Sequence, residues 1–239
     1  MSANGQLERG RSSGRPRSEA ARRAILRAAL DLVLEHGLAQ MTMDQVAARA
    51  GVSKATIYRW WRSKPELTLD ALYADWESVR PLPRETGTLR GDLLALIRPW
   101  IRLVTSTGSS RVLAALINEA QRDPYFAARY RARLVQPRRD RAQAIFEAAI
   151  ERDELPPGTN LELAVDLLYG PLYHRLLHRH AALDERFAAE VVDTVVAGLA
   201  AHRVAHRQPG SAPASPRTVG RATPPGQHGR GHGPGHDES

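Results

Sequence analysis

Apolar residues recur at intervals of three and four along most of the chain, which is the period of an amphipathic α-helix. No stretch alternates between apolar and polar residues in the way that a half-buried strand requires. The pattern therefore predicts an all-α fold. It divides into helices near residues 18–36, 42–50, 54–61, 63–79, 89–106, 110–122, 125–152, 161–180 and 184–205.

Capping signals mark where these helices begin and end. Thr42 and Gln45 have the spacing of a capping box, and Ser53 repeats the device before the next helix. Ser63 and Glu66 form a third box. The remaining signals are expected stops at Gly37 and Gly51, caps at Asn160 and Asp184, a break at Asp123-Pro124, and kinks or divisions at Pro99, Pro137 and Pro171.

Positive charge is concentrated at the two ends of the chain. Of the formal net charge of +8, residues 1–23 contribute six arginines against two glutamates, and residues 202–239 contribute five arginines against two acids. Both ends are rich in Gly, Ser and Pro, so we expect a disordered basic arm at 1–18 and a disordered tail at 207–239. The arm contains Gly14-Arg15-Pro16-Arg17, which resembles the core of a minor-groove-binding AT-hook. General attraction to phosphates explains this run equally well.

Composition excludes several classes of protein. The chain has no cysteine, so a disulfide scaffold, a thiol nucleophile and cysteine-ligated zinc are ruled out. It has no run of 18 apolar residues and no apolar segment behind its N-terminal charges, so we expect a cytoplasmic protein without membrane contact. Motifs of zinc proteases, serine hydrolases and phosphate loops are missing. The sequence therefore predicts no enzyme, no catalytic residue and no cofactor.

Two groups of histidines recur at helical spacing, which is a pattern that can bind a transition metal. The first is His174, His178 and His180, and the second is His228, His232 and His236. The first group lies on a helix that we expect to make dimer contacts. The second group lies in a glycine-rich tail without carboxylates around it. We therefore predict no metal site.

Residues 42–61 form two short helices joined by a glycine-centred turn, which is the spacing of a helix-turn-helix. Helix N-termini attract anions, and small residues on the second helix allow it to approach the floor of a DNA major groove. Amine and hydroxyl groups there suit base edges and phosphates. The candidate DNA contacts on this basis are Ser53, Lys54, Ala55, Thr56, Tyr58 and Lys64. The shape alone also fits a helical corner in any bundle.

The sequence of this segment resembles the DNA-binding domain of the tetracycline-repressor (TetR) family of bacterial regulators. The resemblance is carried by TMDQVAARAGVSKATIYRWWRSKPEL, extends back over AILRAALDLVLEHG, and covers about residues 19–79. It implies that the DNA-facing positions are Thr42, Lys54, Ala55, Thr56, Tyr58, Trp60 and Lys64. Val46 stands where the family often has Ile, and Trp60-Trp61 where it usually has a pair such as His-Phe. We expect Trp61 to close the core of this domain.

The C-terminal part resembles the regulatory domain of the same family more loosely, through LAVDLLYGPLYHRLLHRHAALDERFAAEVVDTVVAGL. The resemblance implies that residues 80–206 form a ligand-binding and dimerisation domain, whose last two helices pair with those of a second subunit as a four-helix bundle. The apolar i, i+4 stripe that such a seam needs consists of Phe187, Val191, Val195 and Leu199. The same stripe also fits the internal core of a monomer.

A cavity for a small molecule is usual between the longer helices of this family's regulatory domain. Polar or aromatic residues that interrupt apolar helix faces are the candidates to line it. They are Trp100, Asn118, Gln121, Tyr169 and Tyr173. Ordinary packing also explains each of them, and the sequence does not identify the ligand.

The sequence thus predicts a homodimeric, sequence-specific transcription regulator. The interpretation we favour is a repressor that an unidentified small-molecule effector releases from a palindromic double-stranded DNA operator. Two alternatives stay open. An architectural DNA-binding protein without an effector would explain the basic ends, whereas a helical interaction module without DNA binding would leave the intact caps and both lysines unexplained.

Overall fold

The structure is a computed structural model that describes residues 14–79, 85–106 and 108–207. Every regular element in these ranges is helical, which confirms the all-α prediction. The elements are α1 (Gly14–Gln40), α2 (Met43–Ala50), α3 (Lys54–Tyr58), α4 (Lys64–Val79), α5 (Leu89–Ser106), α6 (Ser109–Arg122), α7 (Pro124–Tyr130), a π turn (Arg131–Val135), α8 (Gln136–Glu151), α9 (Leu161–His178) and α10 (Glu185–Arg207). Among the described residues, none of the helices has the length and apolar character needed to cross a membrane.

The predicted capping residues hold the ends of the helices. Thr42 Oγ1 accepts the Gln45 N–H at 3.2 Å, and Gln45 Oε1 accepts the Thr42 N–H at 2.8 Å, which completes the capping box. Gly51 adopts φ 65° and ψ 36°, a left-handed conformation that suits glycine, and its N–H donates to the last carbonyls of α2. Asn160 and Asp184 cap later helices as predicted. Asp123, predicted only as part of a break, also caps the helix that follows it.

The third box differs in detail from its prediction. Ser63 Oγ accepts the Glu66 N–H at 3.4 Å, as expected for a cap. The Glu66 carboxylate, however, accepts the N–H of Arg62 at 3.3 Å, one residue before the predicted partner. The N-terminus of α4 is therefore closed by the residue types expected, with the return hydrogen bond shifted by one position.

Helix α1 is longer than predicted at both ends. It begins at Gly14 rather than at Ser18, because Pro16 falls in the first turn, where a helix makes no use of the missing N–H. At Gly37 the backbone has φ 80° and ψ 163°, which is a break and not the left-handed stop expected there, and helix resumes as far as Gln40.

The predicted ends of the chain are only partly covered by the structure. Residues 14–18, which belong to the predicted basic arm and contain its AT-hook-like run, lie at the start of α1. This run is therefore helical and not extended. The rest of the arm, residues 1–13, and the predicted tail from residue 208 lie outside the described residues.

Proline divides one of the long predicted helices. The segment expected as one helix at 125–152 consists of α7, the π turn and α8, with Pro137 in the first turn of α8. The Gln136 N–H donates to the Arg131 carbonyl five residues earlier, so this turn holds one residue more than an α-helical turn. Pro99 and Pro171 lie inside α5 and α9 without dividing them.

The helices pack as two connected groups. Helix α1 lies against α2 and α4, and Val46, Ile57 and Trp61 are buried in this first group, which confirms the core position expected for Trp61. In the second group α5 packs against α8 and α10, while α9 packs against α8 and α10. Helix α6 contacts α1 and α4 of the first group and α5 and α9 of the second, so it joins the groups.

A half-buried carboxylate on α4 also links the two groups. Asp70 Oδ2 accepts the indole Nε1–H of Trp61 at 2.9 Å. The guanidinium groups of Arg22 on α1 and Arg133 in the π turn approach the same carboxylate at 3.9 Å and 3.6 Å. A displacement of the π turn therefore changes the electrostatic surroundings of the residue that fixes Trp61.

The two lysines of the chain make different contacts. Lys64, the first residue of α4, donates from Nζ to the carbonyls of Leu38 at 3.3 Å and Ala39 at 3.1 Å, near the end of α1. Carbonyls at a helix C-terminus lack partners within the helix, so this ammonium satisfies two of them. Lys54 instead forms an exposed ion pair with Asp44 at 2.9 Å.

We predict that Lys64→Met lowers the free energy of unfolding by about 1–2 kcal/mol, because two backbone carbonyls lose a charged donor. Lys54→Met is the matched control, since an exposed ion pair contributes little to stability, and its urea midpoint should stay unchanged. Urea unfolding followed by the helical circular dichroism signal measures both variants. Equal losses in the two variants would contradict the role assigned to Lys64.

Candidate DNA-binding interface

Helix α3 has one face in the core and one face in solvent. Ile57 is fully buried, while Lys54, Ala55 and Tyr58 are exposed on the other side. A short helix with a buried anchor and an exposed polar face is the arrangement that a helix-turn-helix presents to a major groove. The structure therefore brings most of the predicted DNA contacts onto one surface.

Hydroxyl groups fix the start of α3 and remain near this surface. Ser53 Oγ accepts the Thr56 N–H at 3.2 Å, and the two side-chain hydroxyls lie 2.8 Å apart in a further hydrogen bond. Thr42 is exposed at the start of α2, where it serves as the cap. A hydroxyl offers one donor and two acceptor positions, so these groups retain capacity for a DNA partner.

An ion pair joins the N-terminal turns of α2 and α3. Lys54 Nζ donates to Asp44 Oδ2 at 2.9 Å, and the side chains are 46% and 73% exposed. The hydrogen bond that Lys54 donates to Asp44 raises the pKa of Lys54, so the amine is charged at neutral pH. Asp44 was not among the predicted site residues, although its position in the first turn of α2 was a usable signal.

Helix α3 ends three residues earlier than predicted, at Tyr58 rather than at Trp61. The N–H groups of Trp60 and Trp61 both donate to the Ile57 carbonyl, at 2.9 Å and 3.1 Å, which makes a tight turn. Trp60 is half-buried, with its ring 5.6 Å from that of Trp61 and the Arg59 guanidinium over it at 5.1 Å. Much of the Trp60 side chain is thus used in packing within the protein.

Three of the five predicted ligand contacts meet between α5, α8 and α9. The rings of Trp100 and Tyr173 lie 5.5 Å apart, and Arg138 donates to the Tyr173 hydroxyl at 2.8 Å. Trp100 and Tyr169 line a cavity of about 100 Å³. Burial raises the pKa of Tyr169, so its hydroxyl keeps its proton at neutral pH.

The other two predicted ligand contacts lie elsewhere. Asn118 and Gln121 are exposed on α6, whose buried face carries Val112, Leu113 and Leu116. The structure does not bring them to the cavity beside Trp100. The polar residues mark the outer side of this helix, because the helical phase set by the buried stripe turns both of them to solvent.

The predicted dimer stripe on α10 is packed largely within one chain. Val191, Val195 and Leu199 are all more than nine-tenths buried, as the monomer-core alternative requires. Beside them on α9, Leu163 and Leu167 are 51% and 45% exposed. Residues of both helices line an open, mainly apolar groove of about 640 Å³. The apolar surface left outside the core thus lies chiefly on α9.

The first histidine group forms a surface cluster. The ring of His174 lies 4.6 Å from that of His178 and 4.9 Å from that of His180, and all three residues are exposed. Within the described ranges, no three His, Cys, Asp or Glu side chains are arranged to hold a metal ion. The second histidine group lies outside the described residues.

Two family models match the chain, one for each group of helices. The model described as "Bacterial regulatory proteins, tetR family" matches residues 25–71, which include the helix-turn-helix. The model described as "Tetracyclin repressor-like, C-terminal domain" matches residues 83–195. The matches therefore cover both the DNA-facing helices and the helices around the cavity.

Relatives and solved structures extend this similarity over most of the chain. The HTH-type transcriptional regulator YdeS of Bacillus subtilis (strain 168) is 37% identical over 79% of this chain and 94% of its own. The DNA-binding transcriptional repressor TetR of Mycobacteroides abscessus is 32% identical over 75% of this chain and 94% of its own. The solved TetR family transcription regulator SCO0332 is 36% identical, with a TM-score of 0.64 over 74% of this chain and 97% of its own. The chain therefore belongs to the TetR family of bacterial regulators and is a DNA-binding transcription regulator.

Proposed function

We propose that this protein is a homodimeric repressor that binds a palindromic operator through α3 and is released by a small-molecule effector. The observation that carries the proposal is the exposed face of α3, where a charged lysine, a methyl group and a phenol stand opposite a buried anchor. A regulator of this kind acts on the chromosome, so we place it in the cytoplasm. The repressive sign is supported by the repressor from Mycobacteroides abscessus.

The side chains of this surface suit two kinds of DNA contact. Lys54 and Thr56 offer donors to base edges in the major groove, and Ala55 offers a methyl group to thymine. Lys54 donates one of its three N–H groups to Asp44 in the free protein, so two donors remain for DNA. The exposed hydroxyl groups of Thr42, Ser53 and Tyr58 suit phosphate contacts. Lys64 donates to two backbone carbonyls and has a third N–H for a phosphate. Trp60 is the remaining proposed DNA contact.

Dimerisation is supported by the surface of α9 and α10. Leu163 and Leu167 leave about half of their area in solvent on the rim of a groove of about 640 Å³. Exposed apolar surface of this kind marks an interaction site in a soluble protein. A two-fold axis through this surface would pair α9 and α10 of the two subunits and set the distance between the two α3 helices.

Effector control is supported by the position of the cavity beside α4. Tyr73 and Trp76 on α4 line it, and the same helix carries Asp70, the partner of Trp61. A ligand that prefers one position of α4 shifts the population of dimers with the spacing an operator needs. The transcriptional regulator FadR of Bacillus subtilis, which shares this fold at 19% identity and a TM-score of 0.59, was solved in complex with stearoyl-CoA.

We predict that the protein selects an inverted repeat from a random DNA library. The two half-sites should be centred about 34–36 Å apart or at a small multiple of that distance, because two α3 helices related by a two-fold axis enter successive major grooves on one side of the duplex. Selection followed by footprinting measures the site. A tightly bound site without two-fold symmetry would contradict the proposal.

We predict that Thr56→Ala lowers the preference for the operator over random DNA by about 1–3 kcal/mol, because Thr56 loses a hydrogen bond to a base. Tyr58→Phe is the control, since it removes only a hydroxyl assigned to a phosphate and should weaken both DNAs by one common factor. Competition binding with operator and random duplexes measures the ratio. Equal changes of that ratio in both variants would contradict the assignment of Thr56 to a base and Tyr58 to a phosphate.

We predict that Leu167→Glu converts the dimer into monomers, because the substitution buries a charge in the apolar seam. Tyr125→Glu introduces the same charge at a side chain of similar exposure outside the groove and should leave the dimer intact. Light scattering after gel filtration measures the mass. A monomer contacts only one half-site, so its operator binding should be weaker by about 10²-fold or more. A Leu167→Glu variant that stays dimeric would show that the dimer interface lies elsewhere.

A further inference from the structure

The cavity beside α4 is walled by aromatic rings and basic side chains. Trp76 from α4, Trp100 from α5 and Tyr169 from α9 contribute the rings. Arg138 from α8 lies among them, with its guanidinium carbon 4.5 Å from the Trp76 ring centre and 5.4 Å from that of Trp100. The Arg138 side chain is therefore stacked on two indoles inside a cavity that both indoles line.

Arg138 is held in place by a neutral partner. Its Nη1 donates to the Tyr173 hydroxyl at 2.8 Å. A guanidinium has five N–H donors in a planar fork, and a phenol oxygen engages only one side of it. The arrangement keeps the positive charge oriented while leaving donors for a second, negatively charged partner.

The two indoles supply further donors. Trp76 and Trp100 are 6% and 8% exposed, and neither Nε1–H has a hydrogen-bond partner among the residues that the structure describes. Leaving a buried N–H without an acceptor costs free energy, and such groups are rare in folded proteins. Both indole rings line the same cavity, so a ligand with acceptor oxygens there lies beside two N–H groups that lack an acceptor.

The remaining polar groups favour the same kind of ligand. Burial raises the pKa of Tyr169, which keeps its hydroxyl protonated and able to donate. Arg133 and Arg141 add positive charge to the lining, and Glu77, its acidic member, already has an interaction of its own. A cationic ligand would meet three guanidinium groups, whereas an anion finds donors on several sides.

We propose that the effector is an organic anion of the carboxylate class with a short apolar body. Its carboxylate accepts hydrogen bonds from Arg138 and from the indoles of Trp76 and Trp100, and its body contacts Leu96, Pro99 and Leu103. A cavity of about 150 Å³ holds benzene, so the 100 Å³ here is too small for an aromatic ring and fits a short aliphatic carboxylate. This inference rests on the proposed effector control and names the chemistry of that site.

Such an anion would also act on the link between the two groups of helices. Arg133 lines the cavity and approaches the Asp70 carboxylate at 3.6 Å. A carboxylate bound in the cavity competes with Asp70 for Arg133, because two acceptors then share one cation. Asp70 fixes Trp61 through its indole N–H, so the competition reaches the helix-turn-helix.

The test is calorimetric titration of the full-length protein with pairs of probes that differ only in charge. The pairs are acetate with acetamide, propanoate with propanamide, and butanoate with butanamide. At least one carboxylate should bind at least tenfold more tightly than its amide, which equals about 1.4 kcal/mol. Two results would overturn the proposal. One is comparable affinity for carboxylate and amide within every pair, and the other is no binding of any carboxylate up to about 10 mM.

Variants locate the binding. Arg138→Met should abolish the preference for the carboxylate, and Arg138→Lys should retain part of it because the charge stays while the planar fork is lost. Arg131→Met, at an exposed position on the π turn, is the matched control and should bind as the unaltered protein does. Preference that survives in both Arg138 variants, with helical content intact, would place the anion elsewhere.

Operator binding without any probe is measured in the same preparations. Arg131→Met should bind the operator as tightly as the unaltered protein, because Arg131 lies outside both the cavity and the DNA-facing surface. Loss of all sequence-specific DNA binding by the unaltered protein would refute the proposed function. Normal operator binding with no carboxylate preference would refute only the anionic effector.

Discussion

Helix α3 has five residues, whereas a helix needs roughly 12–15 residues to persist by itself in water. Its shape therefore depends on contacts outside the helix. Ser53 holds its first turn by a hydrogen bond, and Ile57 and Trp61 anchor it in the apolar core that it shares with α1 and α4. The side chains assigned to DNA are consequently positioned by residues that lie on the opposite side of the helix. Any change in that core alters the geometry of the surface that reads the operator.

The proposed influence of the cavity on the helix-turn-helix rests on the same dependence. Trp61 is fixed by Asp70, and Asp70 also faces cations from α1 and from the π turn. The Asp70 carboxylate thus contacts both Trp61 in the DNA-binding part and Arg133 beside the cavity. Helix α4 carries Asp70 and also forms a wall of the cavity. The cavity and the helix-turn-helix are therefore connected through one rigid element, without a series of intermediate residues.

The features that the sequence predicted well are local ones. The caps at Thr42, Ser53 and Asn160 depend on residues three positions apart, so the pattern alone determines the hydrogen bond. The all-α fold follows from periodicity in the same way. The DNA contacts stay predictions, although the structure gathers most of them on one surface.

Features that depend on orientation between helices were not accessible from the sequence. Asn118 and Gln121 showed that an apolar face was interrupted, but which side of α6 faces the core depends on its packing. The ion pair of Lys54 with Asp44 joins residues ten positions apart, and its formation depends on the angle of the turn at Gly51. The stacking of Arg138 on two indoles requires three helices to meet.

The π turn at Arg131–Val135 sets the rotational phase of everything that follows it in α8. Each residue of an α-helix advances the side chains by about 100° around the axis, so one additional residue in a turn rotates the whole following helix by that angle relative to an uninterrupted one. If the same residues continued as an uninterrupted α-helix, the Arg138 side chain would point about a quarter of a turn away from the indoles. The basic wall of the cavity is therefore a product of backbone geometry several residues upstream, and closing this turn into an α-helical one without removing a residue would present a different side of α8 to any ligand.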